Sequence, residues 1–174
     1  LQGDITRPDG LPALPAGIPR VIHVATAGAR DPAAYRSVFV DGLNHVLDAL
    51  DTSQVERIVF VSSSAVYGEH HGGWVDEETP PAPQGFNGRI LLDAEAALAA
   101  RAIPHSTLRL AGLYGPGRLQ LIERLRAGAA SAPLAPPHWA NRIHVDDAAA
   151  AITHVALLPD ALPVYIGCDD TPLP

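Results

Sequence analysis

Three consecutive serine hydroxyls, Ser62, Ser63 and Ser64, directly follow a short apolar run at residues 58–61. The run is too short for a helix and is rich in branched and aromatic side chains, which predicts a strand buried on both faces. Ligands of open parallel sheets bind beyond the carboxyl ends of the strands, so hydroxyls in this position are placed for chemistry on a ligand. The alternative is a serine-rich turn that ends at Gly68. Spacing alone leaves both interpretations open.

Two further predicted strands also end in small residues. Residues 21–26 end in Ala25 and Thr26, and residues 105–111 lead into a predicted turn from Gly112 to Gly117. Small side chains at the end of a strand let a flat ligand approach the backbone. If the strands are parallel, all three ends line one crevice suited to a nucleotide-like ligand. The alternative is that every sheet of this class carries such loops.

The elements between these strands predict an α/β fold. Asp31 and Pro32 are typical of a helix start, and apolar residues at helical spacing extend this helix to residue 50. A strand, a helix and a strand in this order form a right-handed βαβ unit. The pattern also predicts helices at residues 88–102, 118–127 and 146–158, and strands at residues 142–145 and 164–167.

Composition narrows the classes of partner. The chain has 174 residues, a formal charge of −7 and no lysine, and its 12 cations are arginines spread along the sequence. This distribution argues against a nucleic-acid groove and against an anionic membrane surface. We expect most of the arginines at the solvated surface, with one or two of them available to bind a ligand. No transmembrane run is visible, and the single Cys168 fits a reducing cytoplasm, so we expect a cytoplasmic protein.

The histidines do not predict a metal site. His23 lies inside an apolar run, which favours a hydrogen-bonded core residue over a ligand or a base. His70 and His71 are adjacent, so they point in different directions, and no third ligand is spaced to join them. They belong to an irregular stretch at residues 69–86, which we expect to be a surface excursion toward the substrate, as we do for residues 129–141.

The ends of the chain are unusual. Leu1 is not a methionine, and the last residues stop at a turn. We therefore expect residues 1–174 to form a single domain that is an interior portion of a longer protein.

Five segments in a fixed order carry a resemblance to a known family. They are Gly3-Asp4-Ile5, Val21-Ile22-His23-Val24-Ala25, Ser62-Ser63-Ser64-Ala65-Val66-Tyr67-Gly68, Leu113-Tyr114-Gly115-Pro116-Gly117 and Ile143-His144-Val145-Asp146-Asp147. With them the chain resembles the extended short-chain dehydrogenase/reductases, the NAD(P)-dependent epimerase/dehydratase family, over nearly its whole length. The resemblance implies a Rossmann-like, doubly wound, mostly parallel sheet whose first βα unit is absent from this chain. It also implies NAD or NADP as the cofactor.

The resemblance assigns roles to individual residues. Ser63, three residues before Val66, would be the catalytic hydroxyl. Cofactor contacts would be Asp4 and Ile5 beside the adenine, Ala25 and Thr26 beside the phosphates and ribose, Leu110, Ala111 and Gly112 near the nicotinamide, and Ser62. For Asp4 the alternative is a cap on the turn that follows it.

The sequence departs from the family pattern in two places. The glycine-rich loop that cradles the pyrophosphate would precede Leu1. Counted back from Glu95, the positions of the family's Tyr-x-x-x-Lys pair hold Asn87 and Leu91. In the usual site the tyrosine is the general acid/base and the lysine lowers its pKa, and this chain has no lysine to do so. Candidate replacements are Glu95, His70 and Tyr114.

Two main hypotheses follow. The first is an oxidoreductase or epimerase that acts on a small carbonyl or sugar-nucleotide-type substrate with a non-standard acid/base. The second is a non-catalytic NAD(P)-binding sensor or scaffold, and a pure interaction domain is a third. The resemblance also implies a homodimer that pairs through the helices at residues 31–50 and 87–102.

Overall fold

The computed structural model describes residues 1–131 and 139–172. Its strands are β1 (Arg20–His23), β2 (Arg57–Ser63), β3 (His105–Leu110), β4 (Gly112–Tyr114), β5 (Arg142–His144) and β6 (Val164–Gly167). Its α-helices are α1 (Pro32–Arg36), α2 (Gly42–Ala49), α3 (Phe86–Ala99), α4 (Gln120–Arg126) and α5 (Val145–Leu157). A π-helical turn (Ser37–Asp41) joins α1 to α2, and 3₁₀ turns (Thr52–Gln54 and Ser64–Val66) flank β2. Within the described ranges, no helix combines the length and apolar character that crossing a membrane requires.

Four parallel strands form the main sheet in the spatial order β1-β2-β3-β6. On one face Phe60 of β2 packs in a cluster with Leu43 of α2 and Leu98 of α3. On the other face Val59 packs against Val155 of α5. Helices on both faces of a parallel sheet define a doubly wound arrangement, which confirms the predicted α/β, Rossmann-like fold.

The central strand is the most deeply buried element. Ile58, Val59 and Phe60 are each 0% exposed, as the unbroken apolar run predicts. Each such side chain contributes about 1.5–3 kcal/mol to folding. The core therefore fixes the position of β2, and with it the serines at its carboxyl end.

Two predicted elements need correction. Residues 112–114 were expected in a turn, but they form β4, because they pair in parallel with β5 some thirty residues later. The predicted helix at residues 31–50 is not uniformly α-helical, since Ser37–Asp41 forms a π turn in which the Gly42 N–H donates to the Ser37 carbonyl. The apolar spacing of a helix does not distinguish an α turn from a π turn, so the sequence gives no sign of this feature.

The excursion after β2 is tied to the sheet at two points. The Tyr67 hydroxyl donates to the Asp76 carbonyl oxygen at 3.0 Å. The Ile166 N–H, in β6, donates to Oε1 of Glu77 at 2.8 Å. These bonds hold residues 69–85 over the carboxyl ends of β2 and β6. Of the second predicted excursion, residues 132–138 lie outside the described residues.

His23 is a core residue without the expected hydrogen bond. It is 6% exposed and stacks on Phe60, with ring centroids 5.6 Å apart. In the part of the chain that the structure describes, its Nε2 has no hydrogen-bond partner. Burial therefore lowers the pKa of His23, because nothing stabilises the charged ring.

This burial predicts a stability that falls in acid. The ordinary histidine pKa is about 6.5. As the pH falls below that value, the unfolded chain binds a proton at residue 23 that the folded chain resists, so the free energy of unfolding decreases. His23→Phe keeps the ring on Phe60 and removes the proton site, and we expect it to flatten the acid limb of the stability profile. Urea unfolding of both proteins from neutral to mildly acidic pH measures the difference, and parallel profiles would contradict the prediction.

Candidate functional site

Ser63 lies at the carboxyl edge of the sheet. It is the last residue of β2, and it pairs with Leu110, the last residue of β3, which in turn pairs with Gly167 of β6. Its Oγ accepts a hydrogen bond from the Ala65 N–H at 3.2 Å and so caps the 3₁₀ turn that follows. The predicted catalytic hydroxyl is thus half-buried and oriented by its own turn.

Helix α3 supports that turn from below. Gly88, in the first turn of α3, is buried, and a Cβ at this position would collide with the Ala65 carbonyl oxygen. The missing side chain lets the helix backbone lie directly against the turn. The helix therefore sets the height of the turn above the sheet, and with it the position of Ser63.

Ser62 points away from the crevice into a buried polar network. Its hydroxyl donates to Oε1 of Glu95 at 2.6 Å. Arg109 of β3 donates from Nη2 to Oε2 of Glu95 at 2.7 Å, and from Nη1 to the Tyr67 hydroxyl at 2.8 Å. The network joins β2, β3 and α3 to the start of the excursion. A cofactor contact at Ser62 stays a prediction, and only its backbone is free to make one.

Arg109 is an exception to the expectation that most of the arginines lie at the solvated surface. The residue is 6% exposed, since β3 is covered on both faces. Burial alone would lower its pKa, but the bonds to Glu95 and Tyr67 outweigh that cost and raise the pKa. Arg109 is therefore a permanent charge in the interior, and Glu95 balances it.

The three candidate replacements for the acid/base group differ in availability. Glu95 is engaged by Arg109 and Ser62, so its carboxylate is a structural group. Tyr114 is 44% exposed, and its hydrogen bond to the Asp169 carboxylate raises the pKa of its phenol, so the phenol is a weaker acid and the phenolate is scarcer near neutral pH. His70 is half-buried, and among the described residues its Nε2 has no hydrogen-bond partner. Of the three, His70 alone combines a free nitrogen with a position in the crevice.

Asn87 and Leu91, at the positions of the usual tyrosine and lysine, cannot form a proton relay. Leu91 is 4% exposed and belongs to the main core cluster with Ala94 and Leu98. Asn87 is half-buried in the first turn of α3, and its side chain does not titrate. The helix face that would carry the relay is used for packing.

The residues predicted to border the adenine form a compact turn on helix α2. Asp4 accepts hydrogen bonds from the N–H and the hydroxyl of Thr6, at 2.9 and 2.7 Å, and these bonds lower the pKa of Asp4. The Ile5 carbonyl accepts a hydrogen bond from Nδ1 of His45 at 2.7 Å, and the Ile5 side chain lies against Gly42. Asp4 thus caps its own turn, and its carboxylate remains exposed.

An open surface, here called the ledge, follows β1 and consists of Ala25, Thr26 and Gly28. Ala25 is half-buried against the core, Thr26 is exposed, and a Cβ at Gly28 would meet nothing within 4 Å. At the neighbouring strand ends, Leu110 and Ala111 are buried, and the Ala111 N–H donates to the Gly167 carbonyl at 2.8 Å. The ledge has room for a flat ligand. Because the side chains of Leu110 and Ala111 are buried, these two residues would contact a ligand mainly through their backbone.

Arg142 lies against Gly112 at this edge of the sheet, a position that the sequence pattern did not indicate. A Cβ at Gly112 would collide with Nη1 of Arg142, so the guanidinium lies directly on the glycine. Gly112 pairs with Arg142 in the small sheet, and its N–H donates to the Asn141 carbonyl at 3.2 Å. Arg142 is half-buried rather than fully solvated. Gly112 itself was the only feature of the sequence that could have indicated the contact with Arg142.

A cavity of about 330 Å³ lies at the same edge of the sheet, under the excursion. Strand-end residues, the excursion and the segment before β5 form its wall. The lining residues are Ser64, Tyr67, Gly68, Glu69, His70, Gly72, Gly73, Trp74, Val75, Ala111, Trp139, Asn141, Ile166, Cys168 and Pro172. A second cavity, of about 350 Å³, lies at the opposite end of the strands beside His105 and Val164, away from the serines. Within the described ranges, no group of three or more His, Cys, Asp or Glu residues is arranged to hold a metal ion.

The parallel sheet, the helices on both faces and the accessible strand ends define a nucleotide-binding domain of the Rossmann-like class. Comparison with protein families identifies it further. The model of the NAD-dependent epimerase/dehydratase family matches residues 1–166. The chain belongs to this family, as the five sequence segments implied.

Individual relatives agree with this assignment. Protein YeeZ of Escherichia coli K12 is 34% identical over 148 residues, which are 83% of this chain and 52% of YeeZ. A structure from Methylobacillus flagellatus, assigned to the NAD-dependent epimerases/dehydratases, has 35% identity and a TM-score of 0.76 over 100% of this chain and 62% of that one. RMD of Pseudomonas aeruginosa, complexed with NADPH, has 23% identity and a TM-score of 0.79 over 99% of this chain and 68% of its own, and this likeness concerns the fold alone. The chain spans about half the length of YeeZ.

Proposed function

We propose that this chain forms the dinucleotide-binding part of an NAD(P)-dependent oxidoreductase or epimerase that acts on a small carbonyl or sugar-nucleotide-type substrate. Family membership and the NADPH bound to RMD support the choice of cofactor. When bound, the nicotinamide supplies the hydride chemistry, so the protein must orient the substrate and provide a route for a proton.

The observation that carries the proposal is that the residue directly after Ser63 lines the cavity. Ser63 ends β2, and the next residue, Ser64, lines the cavity together with Ala111 from the end of β3. In this arrangement the Ser63 hydroxyl polarises a substrate oxygen. His70, with its free Nε2, takes the place of the missing tyrosine as the acid/base group.

The residues present fit two portions of a dinucleotide. The exposed ledge at Ala25 and Thr26, with open space at Gly28, accommodates a flat ligand beside the turn of Asp4 and Ile5. Asp4 and Ile5 would border the adenine, and Ala25 and Thr26 would border the ribose and phosphate region. No G-x-G-x-x-G segment occurs in the 174 residues, so they contain no glycine-rich cradle of that pattern for the pyrophosphate.

A second candidate function is binding without turnover. It is favoured by Leu91, which is packed in the core where the family's lysine would lie, and by Asn87. A sensor or scaffold of this kind binds NAD(P) and shows no activity with any carbonyl or sugar-nucleotide substrate. Turnover with one member of such a panel would exclude it.

A thermal-shift titration with NAD and NADP tests the cofactor assignment. We expect the unfolding temperature of the protein, expressed from its complete coding sequence, to rise by about 5 °C when the ligand exceeds its Kd a hundredfold. Thr26→Trp, which fills the ledge, should abolish the shift.

Thr52→Trp is the matched control, because Thr52 is exposed near the amino end of β2, away from the ledge. Equal shifts in both variants would contradict the assigned ledge. No shift in the unmodified protein would contradict the function itself.

A further inference from the structure

The cavity at the carboxyl edge has a wall of unusual composition. Both tryptophans of the chain, Trp74 and Trp139, line it, and they are 86% and 46% exposed. Large aromatic side chains left open to solvent beside a concave surface are typical of ligand-binding sites. Trp139 is held in place by the excursion, since its indole packs against the bare backbone of Gly72, where a Cβ would lie 3.1 Å from Nε1.

The described lining also carries the polar side chains of Ser64, Tyr67, Glu69, His70, Asn141 and Cys168. His70 is one of the lining residues, and its Nε2 is buried and has no hydrogen-bond partner among the described residues. A buried ring nitrogen without a partner costs folding free energy that a bound hydroxyl or carbonyl oxygen would recover. The apolar side chains of Val75 and Ile166 complete the surface.

The charge of the wall excludes a diphosphate as a good ligand. Among the described residues, the lining contains no arginine, and its one carboxylate is that of Glu69. Arg142 lies on Gly112 and is not among the lining residues. An anionic ligand would therefore lose its hydration and face a carboxylate without a compensating cation.

The size of the cavity leads to the same conclusion. Ligand pockets span roughly 300–1,000 Å³, and a volume of about 330 Å³ lies at the lower end of that range. It accommodates a single ring with its substituents rather than a nucleotide joined to a sugar.

We propose that this cavity binds an uncharged ring compound bearing a hydroxyl or carbonyl oxygen, which lies against Trp74 and Trp139 and hydrogen-bonds to His70 Nε2. The inference rests on the proposed function for the role of that oxygen as the reacting group, but binding itself does not require the cofactor. Within the two substrate types named above, it selects the small carbonyl compound over the sugar nucleotide.

The experiment uses the two tryptophans as reporters and cyclohexanol as the probe. Cyclohexanol should shift the tryptophan emission to shorter wavelength in a saturable manner, with a Kd on the order of 1 mM for so small a ligand. Trp74→Phe and Trp139→Phe assign the signal to these rings. Saturation-transfer NMR on cyclohexanol gives a readout that does not depend on fluorescence.

His70→Phe keeps a ring in the wall and removes the nitrogen, so it should weaken binding about tenfold. His71→Asn is the control, because His71 is the exposed neighbour and its φ of 52° is one that asparagine tolerates. A saturable shift that His70→Phe weakens and His71→Asn does not would support the proposal. Equal binding by all three proteins would overturn it.

UDP-glucose is the contrasting probe. Binding of UDP-glucose to the cavity without binding of cyclohexanol would overturn the inference while leaving the proposed function intact. If cyclohexanol binds and neither NAD nor NADP does, the inference holds and the proposed function fails.

Discussion

Arg109→Met should lower the free energy of unfolding by about 3 kcal/mol or more. The substitution leaves the Glu95 carboxylate buried without its counter-charge, and removal of one partner from a buried ion pair typically costs about 3–5 kcal/mol. Both side chains are nearly inaccessible, at 7% and 11% exposure, so solvent does little to screen the loss. The Tyr67 hydroxyl also loses its donor. Chemical denaturation of the two proteins at neutral pH measures the difference.

The pair between Arg36 and Asp93 provides the matched control. It joins helix α1 to helix α3, and its side chains are 50% and 52% exposed. Arg36→Met should therefore cost no more than about 1 kcal/mol. The double variant Arg109→Met with Glu95→Leu should recover part of the stability, because it leaves no unpaired charge. Equal losses for Arg109→Met and Arg36→Met would contradict the role given to the buried pair.

The buried strand and the buried Arg109–Glu95 pair differ in how far the sequence could predict them. The strand at residues 58–61 was predictable because burial on both faces demands an unbroken apolar run. Arg109 was not, because its charge is typical of a surface residue unless a partner is known. Its partner Glu95 lies 14 residues away on a helix, and only the packing of α3 on the sheet brings the two together.

Contacts between distant segments account for the other differences. Residues 112–114 begin a stretch rich in glycine that is typical of a turn, yet they form β4 because β5 supplies a partner. The position of Arg142 on Gly112 follows from the same pairing. Local propensity cannot encode a partner some thirty residues away, so these features required the three-dimensional structure.

The cavity wall is another feature that depends on contacts between distant segments of the chain. The tryptophans at positions 74 and 139 are 65 residues apart in sequence, and nothing in their local surroundings indicates that they share a wall. His70 was recognisable as a titratable group in a loop, whereas its unpartnered nitrogen became visible only with its surroundings. The sequence therefore predicted the polar and small residues at the strand ends, but it did not predict which residues form the wall of the cavity.

Ser63→Ala should reduce turnover about a hundredfold, the usual cost of removing one hydrogen-bond donor to a developing oxyanion. The hydroxyl lies at the carboxyl edge beside the cavity, and its position is fixed by the turn against Gly88. The loss should fall on kcat rather than on cofactor binding, because Ser63 is assigned to the substrate oxygen. The absorbance of NAD(P)H, followed with the best substrate from a panel of carbonyl compounds and sugar nucleotides, gives the rates.

The Ser63 hydroxyl also caps the 3₁₀ turn. The Ser63→Ala variant should therefore lose about 1 kcal/mol of stability in addition to its activity. Ser63→Thr separates the two effects, since threonine keeps both the hydroxyl and the cap, and it should retain most of the activity. Asp51→Ala removes the side-chain cap on an exposed turn remote from the site and controls for stability alone. If Ser63→Ala turns over substrate as fast as the unmodified protein, Ser63 has no catalytic role, and the turn at the end of β2 serves only to shape the edge of the sheet.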